Sequence, residues 1–163
     1  MSDTGGLSPD ELEAKILAGA EVDAYGDLAK AMGVEYLEAS PERVVARMPV
    51  KGNTQPYGLL HGGASAVLAE TLGSVGAMLH GGSSKIAVGV DLNCTHHRGV
   101  RSGLVTGVAT PVHRGRSTAT YEIVISDEQD RRVCTARLTC MLRDAPADAP
   151  QGGTAPAGDR PGA

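Results

Sequence analysis

The sequence predicts an α+β fold, one antiparallel sheet wrapped around one long central helix. Three observations predict it. Residues 61–80 form a continuous apolar run rich in Gly, Ala and Ser, too long for a strand. After Ser84 the hydrophobic period drops to two, which puts Ile86, Val88, Val90, Leu92, Cys94 and His96 on one face of a strand. The later strands are joined by short polar connections, as in an antiparallel meander.

The elements follow in order. Residues 1–7 read as a loose leader. Ser8-Pro9-Asp10-Glu11 is a helix start, with Ser8 as cap, Pro9 in the first turn and Glu11 completing a capping box. That helix is expected to stop near Gly19, and a second, over 23–32, to end at Gly33. Strands over 34–39 and 43–49 are joined by Ser40-Pro41-Glu42, a hairpin signal. The long helix comes next. Gly73 and Gly76 each cost it about 1 kcal/mol against Ala, so a closely approaching backbone is the expected compensation. Strands over 104–113, 118–126 and 133–142 follow, with connections at 99–103, 114–117 and 127–132. From Asp144 the chain turns to Ala, Pro, Gly and Asp, which reads as a disordered tail after a domain spanning 8–143.

Composition narrows the function. The chain has 163 residues, 41% hydrophobic and 21% charged, which suits one domain with a real core. With no Phe or Trp and four Tyr, that core is aliphatic. A net charge of -4 gives no electrostatic case for nucleic acid or an anionic membrane as partner. Three cysteines without CxxC spacing argue against a disulfide framework or a zinc site and for reduced, cytoplasmic thiols. No secretory signal and no membrane span is read in the sequence.

Between Lys51 and Lys85 the one charged side chain is Glu70. An ionisable group alone in an apolar segment is costly unless it has a partner or a task. Around it stand Gln55-Pro56-Tyr57-Gly58-Leu59-Leu60-His61-Gly62-Gly63, then Leu68-Ala69-Glu70, with Ser74 four residues further on. This pattern resembles the hotdog-fold acyl-CoA thioesterases, above all the aryl-CoA branch that hydrolyses 4-hydroxybenzoyl-CoA or 1,4-dihydroxy-2-naphthoyl-CoA. The resemblance runs from about Met32 to Leu142. It implies a single hotdog domain, an acyl-CoA substrate, no cofactor beyond the coenzyme A of that substrate, and homodimers often doubled to tetramers.

The chemistry of the residues agrees with a thioesterase. Gly62 and Gly63 open the long helix, where first-turn N–H groups have no helical partner and point along the positive end of the dipole. They are main-chain candidates for the thioester oxyanion, or else simply fit a tight turn. Glu70 is the candidate base or nucleophile. Ser74 shares its helix face and is placed to hold water or the carboxylate, or only to pack. By resemblance Gln55 aligns the thioester or water, or else is a plain loop amide, and His96 lines the pocket or is simply a strand-end histidine. His61 orients the helix start or takes part directly. His96-His97 lacks the companion ligands of a metal site. Arg98, Arg101, Arg114 and Arg116, in what read as two neighbouring hairpin connections, are candidates for the phosphates of coenzyme A, with Ser117 adding a hydroxyl.

Two alternatives belong to other classes. A hotdog hydratase or dehydratase normally pairs a His with its carboxylate, whereas Glu70 stands alone nine residues past His61. A non-catalytic acyl-CoA sensor would carry a DNA-binding domain, for which residues 1–32 are too short and too acidic. Helix geometry adds a last expectation. Gly62 and Glu70 lie about 12 Å apart along one helix, so a working site must combine Gly62 of one subunit with Glu70 of another.

Overall fold

In the computed structural model, the described residues are 26–145, together with Glu11 and Ala14. The expected leader, most of the first helix, residues 23–25 of the second and the tail beyond Ala145 lie outside them, while Asp144, read as the first residue of the tail, belongs to the last strand. The elements are α1 (Gly26–Ala31), β1 (Glu35–Ala39), β2 (Val44–Pro49), α2 (Gly62–Gly81), β3 (Lys85–His96), β4 (Leu104–Arg114), β5 (Thr118–Asp127) and β6 (Arg132–Asp144). Strand β6 therefore runs to Asp144, two residues beyond the 133–142 read from sequence.

All strands pair antiparallel in one sheet of order β1-β2-β4-β5-β6-β3. Helix α2 lies across it and buries Leu68, Ala69, Leu72, Val75, Ala77 and Leu79. The sheet contributes Met48, Val105, Tyr121, Ile123, Ile125 and Leu138, so the core is aliphatic with two tyrosines, Tyr36 and Tyr121. The hotdog arrangement read from sequence is the one found.

The helix glycines are explained by side chains rather than by the expected backbone approach. A Cβ at Gly73 would come 2.7 Å from Cδ2 of Leu138, and one at Gly76 would come 2.6 Å from Cε1 of Tyr121. Tyr121 is fixed in turn, because its hydroxyl donates to the carbonyl of Pro41 at 2.7 Å.

Two features of β3 depart from the sequence reading. First, its single apolar face is broken. The register slips between Gly89 and Asp91, which leaves Val90 as the extra residue of a β-bulge. Before the bulge, Ile86 and Val88 pair with Arg143 and Met141 of β6, on the outer side. After it, Leu92, Cys94 and His96 pair with Leu138, Ala136 and Cys134, which are buried on the helix side. A one-residue slip turns every later side chain to the other face.

Second, the connection over 97–103 is no hairpin. Strand β4 is paired with β2 on one side and β5 on the other, so β3 crosses to the far edge beside β6. Three strand spacings of about 4.8 Å must be crossed, which seven residues cover easily at about 3.3 Å each.

The short helix α1 is tied down at its end. Gly33 takes a left-handed φ of 70°, and Val34 N–H reaches back to Ala29 O at 3.0 Å, a Schellman-type stop. The Asn53 amide donates to the carbonyls of Met32 and Pro49, at 2.9 and 2.8 Å.

Candidate active site

His61 is the N-cap of α2, with extended backbone and Nδ1 accepting from Gly63 N–H at 2.8 Å. The His61 carbonyl takes Ala64 N–H at 2.9 Å and Ser65 N–H at 3.3 Å. These bonds use the amides of Gly63, Ala64 and Ser65, and none uses that of Gly62. The two glycines grouped together in sequence therefore differ. Gly63 N–H is committed to the cap, and Gly62 N–H is the one presented at the positive end of the dipole. Because Nδ1 accepts, the neutral His61 ring carries its proton on Nε2.

His96 packs against this turn. A Cβ at Gly62 would come 2.9 Å from its Nε2, so no larger residue fits there with the ring in place. Gln55, Gly62, Ser65, His96, His97 and Arg98 share one cavity of about 340 Å³. Gln55 Oε1 accepts from Tyr57 N–H at 2.9 Å, which leaves its NH₂ group as the donor for a ligand. Ser65, 1% exposed, was not singled out by the sequence reading. Its position three residues after Gly62, in the first helical turn, was the available signal.

Glu70 stands elsewhere. It lines a separate cavity of about 560 Å³ with Leu28, Tyr36, Thr71, Ser74, Met78 and Ala87 among others. Glu70 and Ser74 thus share one helix face, as the spacing predicts. The carboxylate is exposed in the single chain, and among the described residues no hydrogen bond or ion pair engages it. It lies over β3, where a Cβ at Gly89 would approach its Oε1 to 3.1 Å. Nearby, burial first of all pushes the Cys94 and Cys140 thiols up, with the Glu70 charge adding to the effect. Ser74 Oγ is 3.9 Å from Cys140 Sγ. These cysteines are free and behave as small apolar residues.

The structure therefore divides the expected site. The cavity of Gln55, Gly62 and His96 and the cavity of Glu70 and Ser74 have no lining residue in common.

The four arginines do not cluster within one chain, contrary to the sequence reading. Arg98 and Arg101 precede β4 and lie near its start, whereas Arg114 and Arg116 lie at its far end. Eleven residues of strand hold them roughly 35 Å apart. Arg98 lines the Gln55 cavity, and Arg101 donates to Tyr57 O at 3.1 Å. Arg114 pairs with Glu42 at 2.6 Å, and its guanidinium holds the Glu42 carboxyl below the usual range. Arg116 and Ser117 are exposed in the next turn. His97 donates to or accepts from Thr135 Oγ1 at 3.0 Å, and no group of three or more His, Cys, Asp or Glu suited to a metal occurs among the described residues. No helix among them is long and apolar enough to cross a membrane.

Comparisons with known proteins agree with this architecture. The thioesterase superfamily model matches residues 57–134. The chain is 46% identical over 127 residues to the proofreading thioesterase EntH of Cronobacter turicensis, covering 77% of this chain and 93% of that protein. Among solved structures, a thioesterase of Haemophilus influenzae is 33% identical with a TM-score of 0.72, covering 88% of this chain and 96% of its own. A glutamine-to-alanine variant of a Pseudomonas aeruginosa thioesterase is 36% identical with a TM-score of 0.72, covering 79% and 94%. With its six-stranded sheet, long central helix and motif-bearing helix start, the chain belongs to the thioesterase superfamily, the hotdog-fold hydrolases of thioesters.

Proposed function

We propose that the protein hydrolyses the thioester of an acyl-CoA, with an aromatic or similarly bulky acyl group, at sites shared between two subunits. The observation that carries this reading is the bonding of the α2 start, where the His61 cap and carbonyl take the amides of Gly63, Ala64 and Ser65 but not that of Gly62. In the proposed site the thioester oxygen accepts from Gly62 N–H, and the helix dipole stabilises the charge that develops there. The Gln55 NH₂ group aligns the carbonyl or the water. Glu70 of the second subunit either draws a proton from the attacking water or attacks the carbonyl itself to give an anhydride that water then opens. In both routes coenzyme A leaves as the thiol. Arg98 and Arg101 stand on the Gly62 side for its phosphates, and Arg114 or Arg116 would have to come from another chain.

The edge of the sheet supports a dimer. Strand β3 is twelve residues long, its outer edge is unpaired among the described residues, and Ile86, Val88 and Val90 are 37%, 44% and 57% exposed. A long apolar edge is a template for pairing. Two such edges related by a two-fold axis would give two equal sites, and a tetramer would follow from a second interface. A cytoplasmic setting suits the free thiols. The relative's proofreading role suggests a second reading, removal of wrongly charged acyl groups. The cavity walls favour it, because beside the one ring of Tyr36 they are largely the aliphatic Leu28, Val67, Val75, Met78 and Ile86, which fit acyl groups of more than one shape.

The test is Glu70→Gln in a thiol-release assay over a panel of acyl-CoAs. The near-isosteric change should keep the fold and lower turnover by a factor of about 10²–10⁴. Turnover within about threefold of the unaltered protein, less than 1 kcal/mol of barrier, would remove Glu70 from the chemistry.

A further inference from the structure

We propose that α1 sets the size of the acyl group the enzyme accepts, with Leu28 as the specificity-determining residue. This rests on the reading that Glu70 works on the thioester, since Glu70 identifies the cavity it lines as the acyl cavity. That cavity, about 560 Å³, is of a size that takes a whole small organic group. One wall is the α2 face from Val67 past Glu70 to Met78, and another is the start of β3 at Lys85 and Ala87. The remaining wall is built by Leu28, Ala29 and Tyr36.

Leu28 and Ala29 are neighbours in α1 but differ sharply, since Ala29 is 3% exposed and Leu28 59%. Ala29 docks the helix, while Leu28 lines the cavity and keeps most of its surface exposed. An acyl group that reaches Leu28 removes that surface from water. The helix is docked through Ala29, and Met32 just after it is tied through the Asn53 amide to the Pro49 carbonyl of β2, so Leu28 works as a wall of the cavity. This wall also lies outside residues 57–134, the stretch matched by the family model. It can therefore vary in size without disturbing Gly62 or Glu70.

The experiment measures kcat/KM for straight-chain acyl-CoAs from butyryl to dodecanoyl, with benzoyl-CoA and naphthoyl-CoA, on the full chain. Leu28→Ala should shift the optimum to larger acyl groups, by about fourfold for each methylene that becomes buried. Leu28→Trp should shift it to smaller ones. Leu37→Ala is the control. That residue is also exposed, at 47%, but does not line the cavity, and its profile should match the unaltered protein. Because Leu28 is mostly exposed, neither of its variants threatens folding. Identical size profiles for the Ala and Trp variants and the unaltered protein would overturn the proposal while leaving the thioesterase reading intact. Absence of hydrolysis across the whole panel by the unaltered protein would instead overturn both.

Discussion

Mixing two inactive variants, Glu70→Ala and Gly62→Pro, should restore activity that neither has alone. Glu70 and Gly62 lie eight residues apart on α2, about 12 Å along its axis. Reacting atoms must come within about 3–3.5 Å, so no carbonyl held at Gly62 meets Glu70 of the same chain. Proline suits the first helical position, where the lost N–H makes no helical bond. It nevertheless removes the oxyanion donor, and its Cβ would fall 2.9 Å from His96 Nε2, so the imidazole must shift as well. In a hybrid dimer one site combines native Gly62 with native Glu70, and the other carries both lesions. Random exchange makes about half of the dimers hybrid, each with one of two sites intact, which gives roughly a quarter of full activity per chain. The assay is thiol release from an acyl-CoA after subunit exchange, with hybrid formation verified by differently tagged chains. No recovery despite verified hybrids, or full activity from a monomer, would refute the shared site.

Two further predictions concern stability. Gly76→Ala gains about 1 kcal/mol of helix propensity but drives a Cβ to 2.6 Å from the ring of Tyr121, which is 0% exposed and anchored through its hydroxyl. Overpacking of this kind costs about 1–3 kcal/mol, so Tm should fall by a few degrees, and a Tm at or above the original would mean that the ring yields freely. Alkali should also destabilise the fold. Burial pushes Tyr121 from its usual 10.0 to about 12 and Cys134 from 9.0 to about 11. The neutral forms are thus favoured in the folded state, and their contribution is complete below pH 9, then lost as pH rises through 11 and 12. Chemical denaturation between pH 8 and pH 12 checks this, and a flat stability curve over that range would contradict it.

What the sequence made legible was local or periodic. The α2 run, its His61-Gly62-Gly63 start and the β4–β5–β6 meander each follow from spacing within a dozen or so residues. What it hid depends on contacts between distant parts of the chain. Nothing near residues 97–103 says that this connection crosses the sheet, because that follows from β2 taking the edge of β4 and sending β3 to the far side. The reason for Gly73 and Gly76 lies in Leu138 and Tyr121, more than forty residues away. Leu28 reads as one apolar residue of a short helix until β1 and α2 are folded around the same cavity.

The bulge at Val90 links the hidden part to the chemistry. The sequence alternation places Ile86 and His96 on one face, and an unbroken β3 would have kept them there. His96 packs against Gly62 on the helix side, and Gly89 passes beneath Glu70 on that side as well. Ile86 and Val88 belong to the opposite side. Only an extra residue between Gly89 and Asp91 satisfies both demands, because it reverses the side-chain direction midway along the strand. The same strand can then line the Glu70 cavity with its first half and cover the Gly62 turn with its second. Since β3 also forms the open edge where a second chain would pair, its bulge bears on both halves of the proposed site at once.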